Sequence, residues 1–363
     1  MTLEFNQNDQ KFMNLAINLA KKNIGLTREN PSVACVIVKN NVILATGITS
    51  RNGRPHAERN SVDKAQSDIS NSTIYLTLEP CFHVGKTDPC VDLLIEKKIA
   101  RVVIACQDPD LRVNGKSIKK LQENGIKTEI GLFEAQAKEL NRGFFKAKTQ
   151  NLPFVTLKLA TSLDCKIANK TFESKWITNE KSRKNGHYLR AKNDGILIGG
   201  NSVKIDNPTL DCRISGLEEF SPSRIIFSKK LDLDLDSKIF KNTDKIKTYI
   251  ATNNKNDKIH EKFLKLGAKI IIFEDLKNLL NQLCDLGINN LLIEGGAFVS
   301  TQFLKANLID EIIHFQGNQI LGADAISAIG DLNLNNLAES LKFTKISSRN
   351  LDGDQLTILQ KIQ

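Results

Sequence analysis

Two short stretches hold the residue types needed to activate water on a metal. Pro55-His56-Ala57-Glu58 sets an imidazole and a carboxylate two positions apart. Leu78-Glu79-Pro80-Cys81 is followed by a second thiol at Cys90, nine positions on. Zinc takes imidazole and thiolate ligands in four-coordinate sites, and a catalytic zinc keeps one position open for water. His56, Cys81 and Cys90 supply three ligands. Glu58 lies too close to His56 to be a comfortable fourth ligand. It is placed to take a proton from the bound water and return it to a substrate.

Each ligand is expected at or near the start of a helix, where partial positive charge favours thiolate and hydroxide. The order H-x-E, strand, P-C, then a second Cys is the pattern of zinc deaminases, in which hydroxide attacks an amidine-like carbon. The spacing from Cys81 to Cys90 is longer than the usual C-x-x-C. The intervening residues offer His83, Lys86 and Thr87 near the metal. A structural zinc site or two unrelated thiols are the alternatives. The seven cysteines are scattered and odd in number, which does not read as a disulfide framework. Cys35, Cys106 and Cys284 lie in apolar runs and read as core residues.

A second constellation follows. Asn289-Asn290-Leu291-Leu292-Ile293-Glu294-Gly295-Gly296 reads as strand, acid and two glycines, opening the helix of Ala297 to Leu304. Glycines admit a phosphate close to the backbone, and a helix start supplies N–H donors. Gly195 to Gly200 makes a second strand-to-glycine junction, with Ser202 and Asp206 just beyond. No G-x-G-x-x-G follows a strand, so a standard dinucleotide unit is not supported.

The elements around these residues come from periodicity. Phe12, Leu15, Ala16, Leu19 and Ala20 mark one helical face, with Asn8 or Asp9 as its cap. Residues 32–47 read as two strands with a tight polar turn at Lys39–Asn41. Helices at 55–66, 88–99 and 115–126 alternate with strands at 73–78, 100–106 and 127–132. Residues 135–153 read as one helix running into a Pro-terminated polar stretch. Beyond it come seven more strands, starting at Phe154, Gly195, Arg224, Lys247, Lys269, Asn290 and Glu311, with helices between several of them. The chain of 363 residues is therefore expected to fold as two α/β domains, 1–148 and 149–363.

Net charge is +10, mostly scattered lysine, without basic blocks interleaved with aromatics. That reads as a solvated surface rather than a nucleic-acid platform. No apolar run approaches the ~18 residues of a membrane span. The N-terminus is unlike a signal peptide, so a cytoplasmic protein is expected.

With these motifs in hand, the sequence resembles the bifunctional riboflavin-biosynthesis deaminase–reductases. The resemblance rests on "NPSVACVIV", "PHAE", "LEPCFHVGKTDPC" and "QDPDLRVNGKSIKKLQENGI". It continues through "TLKLATSLDCKIA", "SKWIT", "HYLRAKNDGILIGGNSVKIDNPTL" and "IEGG", covering essentially the whole chain. It implies a cytidine-deaminase-like three-layer α/β/α domain followed by a dihydrofolate-reductase-like α/β domain. It implies deamination of a phosphorylated diaminopyrimidine, then NADPH-dependent reduction of its ribosyl group to ribityl. The cofactors would be one zinc ion per chain and NADPH. The partners would be small phosphorylated pyrimidines, with no nucleic acid or membrane, and a homo-oligomer is expected.

The same resemblance assigns residues. Asn30, Lys86 and Asp108 would hold the deaminase substrate, Lys86 as a point charge on its phosphate. Ala160, Trp176, Ser202, Asp206 and the run Gly296, Ala297, Phe298, Val299, Ser300, Thr301 and Gln302 would contact the dinucleotide. Ser174, Arg190, Leu210, Arg213 and Glu294 would contact the reductase substrate. The guanidinium groups suit a phosphate. Lys158 and Asp164 are candidates for positioning polar groups. Phe82, Asp88, Thr49, Cys165 and Asn207 depart from residues usual in the family; the last two stand for Gly and Asp. The competing reading is a tRNA or other nucleic-acid base deaminase with an accessory domain. A non-catalytic zinc module is the third, and Glu58 counts against it.

Overall fold

The computed structural model describes residues 5–84 and 88–362. The chain divides into two compact units, 1–150 and 151–363.

The first unit is built on five strands: β1 (Ala34–Lys39), β2 (Val42–Ile48), β3 (Thr73–Leu76), β4 (Arg101–Ile104) and β5 (Lys127–Ile130). Their order is β2-β1-β3-β4-β5, antiparallel from β2 to β3 and parallel from β3 to β5. Asn40 and Asn41 both have positive φ, 51° and 62°, as a two-residue turn matching strand twist requires. The helices are α1 (Gln7–Ala20), α2 (Ala57–Lys64), α3 (Cys90–Glu96), α4 (Lys116–Glu123), α5 (Glu134–Leu140) and α6 (Arg142–Gln150). Gly47 lets α2 lie directly on β2, because a Cβ there would stand 2.1 Å from Ala57 O.

Two local expectations are corrected. The cap of α1 is Asn6, whose side chain accepts from Asp9 N while Asp9 accepts from Asn6 N. Asp9 is instead a buried acid bonded to Tyr75 Oη (2.7 Å) and to both Nη atoms of Arg101 (2.7 and 3.0 Å). The single helix expected at 135–153 is two. Asn141 breaks it, and its amide exchanges buried hydrogen bonds with Ser32 N (2.7 Å) and Ser32 O (3.1 Å).

The second unit holds β6 (Phe154–Thr161), β7 (Lys166–Ala168), β8 (Gly195–Gly199), β9 (Ser223–Phe227), β10 (Thr248–Thr252), β11 (Lys269–Ile272), β12 (Asn290–Ile293), β13 (Glu311–Gln316), β14 (Ile326–Ser327), β15 (Phe343–Leu351) and β16 (Asp354–Lys361). Nine of these form a sheet in the order β11-β10-β9-β8-β12-β6-β13-β16-β15, and β14 pairs with β7. It is parallel from β11 to β13 and closes with antiparallel β16 and β15. Its helices are α7 (Glu180–Ala191), α8 (Gly200–Asp206), α9 (Asp257–Leu264), α10 (Leu276–Asp285) and α11 (Ala297–Lys305). The final hairpin was not expected. β15 is exposed along most of its length and shows no apolar run. The Asp352-Gly353 turn, both residues at positive φ, is the signal that marks it.

Two departures from the family's usual residues have a conformational reading. Asn207 caps α8 in the left-handed region (φ 42°), which Asn tolerates, and accepts from Lys238 N at 2.7 Å. Cys165 is exposed and also left-handed (φ 60°), where a β-carbon costs ~1–2 kcal/mol. Glycine's freedom in the unfolded chain offsets part of this. Cys165→Gly is expected to stabilise the unit by about 0.5–1 kcal/mol in denaturant unfolding. Cys165→Ala, which keeps the β-carbon, should give no gain.

Candidate functional site

In the first unit, His56 is the N-cap of α2 and Cys90 is the first residue of α3. Cys81 lies in the loop after β3. The sequence reading had each ligand at or near a helix start, and Cys81 is at neither, but the Cys90 N–H donates to its Sγ at 3.2 Å. His56 Nδ1 stands 3.6 Å from Cys81 Sγ and 3.5 Å from Cys90 Sγ, and all three donor atoms lie within 4.8 Å of one another. A tetrahedral zinc with ordinary Zn–N and Zn–S lengths would separate N from S by ~3.6 Å. The donor set therefore fits zinc in both chemistry and spacing. The Cys90 thiol's hydrogen bond and the His56 ring hold the Cys81 thiol down at about 4, and Cys90 is pushed up in return.

Glu58 sits in the first turn of α2, only 3% exposed, with its carboxylate in hydrogen-bond contact with Cys90. Burial, then the Cys81 charge, push its carboxyl up to about 7. A buried carboxyl beside the three donor atoms is placed to exchange a proton with what binds there.

Glu79 is a positioning residue that the sequence reading quoted without a role. It is buried, and its carboxylate accepts from the backbone N–H groups of Asp108 (3.2 Å), Gly115 (3.0 Å), Ser117 (3.2 Å) and Ile118 (3.4 Å). It thus ties the Cys81 segment to the 108–115 loop and the start of α4. Its only sequence signal is an acid preceding Pro-Cys. Asp108 is buried on that loop, its carboxyl pushed up to about 7 by burial, and it accepts from Asp110 N at 2.8 Å. The Asn30 amide packs over Gly53 (φ 87°), just before Pro55 and His56. Thr49 is buried and bonded to Val33 N at 3.0 Å, so here it ties strand ends together. Lys86 and Thr87 lie outside the described residues.

The second unit carries a cavity of about 720 Å³ at the C-terminal ends of β6, β8, β9 and β12, where α/β sheets bind ligands. Lys158, Ala160, Glu294, Gly296, Ala297, Phe298 and Val299 line it. So do Ser174, Arg190, Ser202, Asp206 and Leu210. Gly295 must be glycine for α11 to start here, since a Cβ would meet Val299 Cβ at 2.8 Å. Arg190 Nε and Nη2 grip both Glu294 oxygens (2.8 and 2.9 Å), with Lys158 Nζ 3.8 Å away. Burial opposes ionisation of Glu294, but Arg190 and Lys158 outweigh it and hold the carboxyl at about 2.

The remaining candidates fall elsewhere. Ser300 and Thr301 are buried in α11 rather than lining the cavity, and Thr301 Oγ1 bonds Ala297 O and Gly330 N. Gln302 and Arg213 are not in the lining. Trp176 is 63% exposed, also outside the lining, and stacks on Arg183 at 4.2 Å. Asp164 anchors a loop, accepting from Ser162 Oγ (2.6 Å), Leu321 N (3.1 Å) and Gly322 N (2.8 Å). Ser228, Lys229 and Lys230 line the cavity but were missed, because three polar residues after a strand read as an ordinary turn.

Residues 153–357 match the family described as the RibD C-terminal domain. Residues 6–106 match the cytidine and deoxycytidylate deaminase zinc-binding region. The chain is 40% identical over 355 residues to the riboflavin biosynthesis protein RibD of Aquifex aeolicus, covering 97% of this chain and 98% of that one. It is 38% identical to the protein of that name from Bacillus amyloliquefaciens, covering 93% of each. Among solved structures, Acinetobacter baumannii RibD superposes with a TM-score of 0.92 at 34% identity, covering 98% of this chain and 99% of that one. The Thermotoga maritima diaminohydroxyphosphoribosylaminopyrimidine deaminase/5-amino-6-(5-phosphoribosylamino)uracil reductase gives 0.87 at 31%, with the same coverage.

Proposed function

The chain belongs to the RibD family of bifunctional riboflavin-biosynthesis deaminase–reductases, and from that premise we propose how its residues divide the work. The first unit deaminates 2,5-diamino-6-ribosylamino-4(3H)-pyrimidinone 5′-phosphate. The second reduces the ribosyl group of the product to ribityl. The observation that carries this reading is the His56–Cys81–Cys90 donor set at tetrahedral-zinc spacing beside buried Glu58.

His56 Nδ1, Cys81 Sγ and Cys90 Sγ would hold zinc, which would supply a nucleophilic water at neutral pH. Glu58 would pass one water proton to the ring nitrogen as the oxygen bonds to the amino-bearing carbon, then carry the hydroxyl proton to the amino group, whose C–N bond breaks to release ammonia. Its burial keeps bulk water from competing for the transfer. Asn30 and Asp108 orient the pyrimidine, with Glu79 fixing the loop that carries Asp108. Lys86 is assigned to the substrate phosphate.

In the second unit the cavity suits NADPH. Gly295-Gly296 and the start of α11 give backbone N–H groups for a diphosphate, Ser202 Oγ lies against Gly296, and Asp206 shares the lining. Lys229 and Lys230 add cations for a further phosphate. NADPH supplies the hydride. Lys158 and the Arg190–Glu294 pair orient the ribose carbon that receives it, and Arg213 meets the substrate phosphate. Among the described residues no helix is long and apolar enough to cross a membrane. We place the protein in the cytoplasm.

Metal analysis tests the assignment that carries this reading. The wild-type chain is expected to hold one zinc, and Cys90→Ser to lose most of it together with deamination. Full zinc retention and unchanged activity in Cys90→Ser would remove that ligand.

A further inference from the structure

Arg190 and Arg213 were alike in sequence as phosphate ligands, but the structure separates them. Arg190 commits Nε and Nη2 to Glu294, and Nη1 to Asp211 O at 3.1 Å. Arg213 is 66% exposed. Its Nη2 lies 3.1 Å from His187 Nε2, and its Nε lies 3.7 Å from Asp211 Oδ1. Among the described residues its Nη1 makes no hydrogen bond. Arg213 is therefore the guanidinium with donors left for an anion.

His187 lies three residues before Arg190 on α7, so both side chains share one helical face. Two partners compete for Nδ1: Asp211 O at 3.2 Å, which needs a proton there, and the Arg213 backbone N–H at 3.4 Å, which needs a lone pair. Arg213 Nη2 can only donate, so Nε2 must be the unprotonated nitrogen for that contact; the proton then sits on Nδ1 and is given to Asp211 O, the shorter of the two. A single carbonyl, Asp211 O, thus receives both Arg190 and His187. The result is a continuous chain from Glu294 in the cavity through Arg190, Asp211 and His187 to Arg213.

We propose that His187 is a positioning residue of the reductase: its imidazole holds the Arg213 guanidinium ready to receive the substrate's phosphate ester. The inference rests on the reductase reading above and names the device that prepares its phosphate contact. An exposed arginine otherwise loses rotamer freedom on binding, and prior orientation removes that cost. Only an uncharged ring can accept from Nη2. Around it, Arg190 and Arg213 disfavour a second proton, while Asp211 and Glu294 favour one. The turn Glu218–Phe220 packed on α7 adds Glu218, which accepts from Gly216 N, and Glu219. Burial and the two arginines prevail, so the ring titrates below the ordinary histidine range. Acidification should release Arg213.

The test uses the full chain and the deaminated ribosylaminouracil phosphate. Wild type, His187→Ala and His187→Gln are compared for KM and kcat from pH 5 to 8, with NADPH binding by fluorescence as the fold control. The Gln carbonyl can replace Nε2 as acceptor at every pH. Calorimetric titration with ribose 5-phosphate repeats the comparison without turnover. His187→Ala should raise KM ~10-fold at neutral pH with kcat little changed, as for loss of one charge-assisted contact. His187→Gln should keep a near wild-type KM at neutral pH. It should also lack the extra rise in KM that wild type shows toward pH 5. The phosphate's own titration near pH ~6 affects both proteins alike. An unchanged KM in His187→Ala, a fall in kcat alone, or identical pH profiles for wild type and His187→Gln would overturn the proposal. An unchanged KM in Arg213→Ala would overturn the phosphate contact itself while leaving reductase activity in place.

Discussion

Glu58→Gln is expected to lower deamination by ~10²–10⁴-fold or more, the scale on which positioned proton transfer contributes. Zinc should stay bound, and reduction of pre-deaminated substrate should proceed at the wild-type rate. The amide has nearly the volume of the carboxyl, so it fits a site only 3% exposed. It cannot accept and return a proton. Three readouts separate the outcomes: ammonia release, bound zinc, and NADPH oxidation on the uracil substrate. A near wild-type ammonia rate would end the proton-shuttle role. Loss of zinc with loss of rate would instead make Glu58 a support of the metal site.

The second large effect is expected at Glu294, which sits between Arg190 and Lys158. Glu294→Ala leaves a guanidinium that is 16% exposed without its carboxylate. Breaking a fully buried pair costs ~3–5 kcal/mol, and this one lines the cavity, so a loss of about 3 kcal/mol is expected, still a large part of a domain's ~5–15 kcal/mol stability. Denaturant unfolding should show the second unit's transition moved to much lower denaturant, and reductase activity should be lost. The pair also predicts an acid window. Because the folded carboxyl is depressed to about 2, its contribution is complete above the ordinary Glu value of 4.5. It disappears as pH falls from there through about 2. An unchanged midpoint in Glu294→Ala would show that the pair does not support the fold.

The clustering of His56, Cys81 and Cys90 was legible in the sequence because these residue types are scarce and their order is constrained. His56, Glu58, Cys81 and Cys90 could be named together before any fold was known. Glu79 was not legible in the same way. Its partners are backbone N–H groups of residues 108–118, which carry no side-chain signal. The two arginines show a related limit: the family resemblance assigned both to the reductase substrate, and only geometry reveals that Arg190 is occupied by Glu294. The run from Gly296 to Gln302 was read as a block, yet helical periodicity turns Ser300 and Thr301 inward. The strands of both sheets were readable where they are buried and apolar. The exposed β15 edge strand was not, and neither was the break at Asn141, which depends on Ser32 far away in sequence.

The central claim is that this chain performs two successive reactions on one phosphorylated pyrimidine. The direct measurement supplies the zinc-loaded chain with the diaminopyrimidine phosphate and follows ammonia and NADPH together. Without NADPH, ammonia should be released and the ribosylaminouracil phosphate should accumulate. With NADPH, one cofactor should be oxidised for each ammonia released, and the ribityl product should replace the ribosyl one. No ammonia release, or NADPH oxidation that consumes the diamino compound before deamination, would contradict the account.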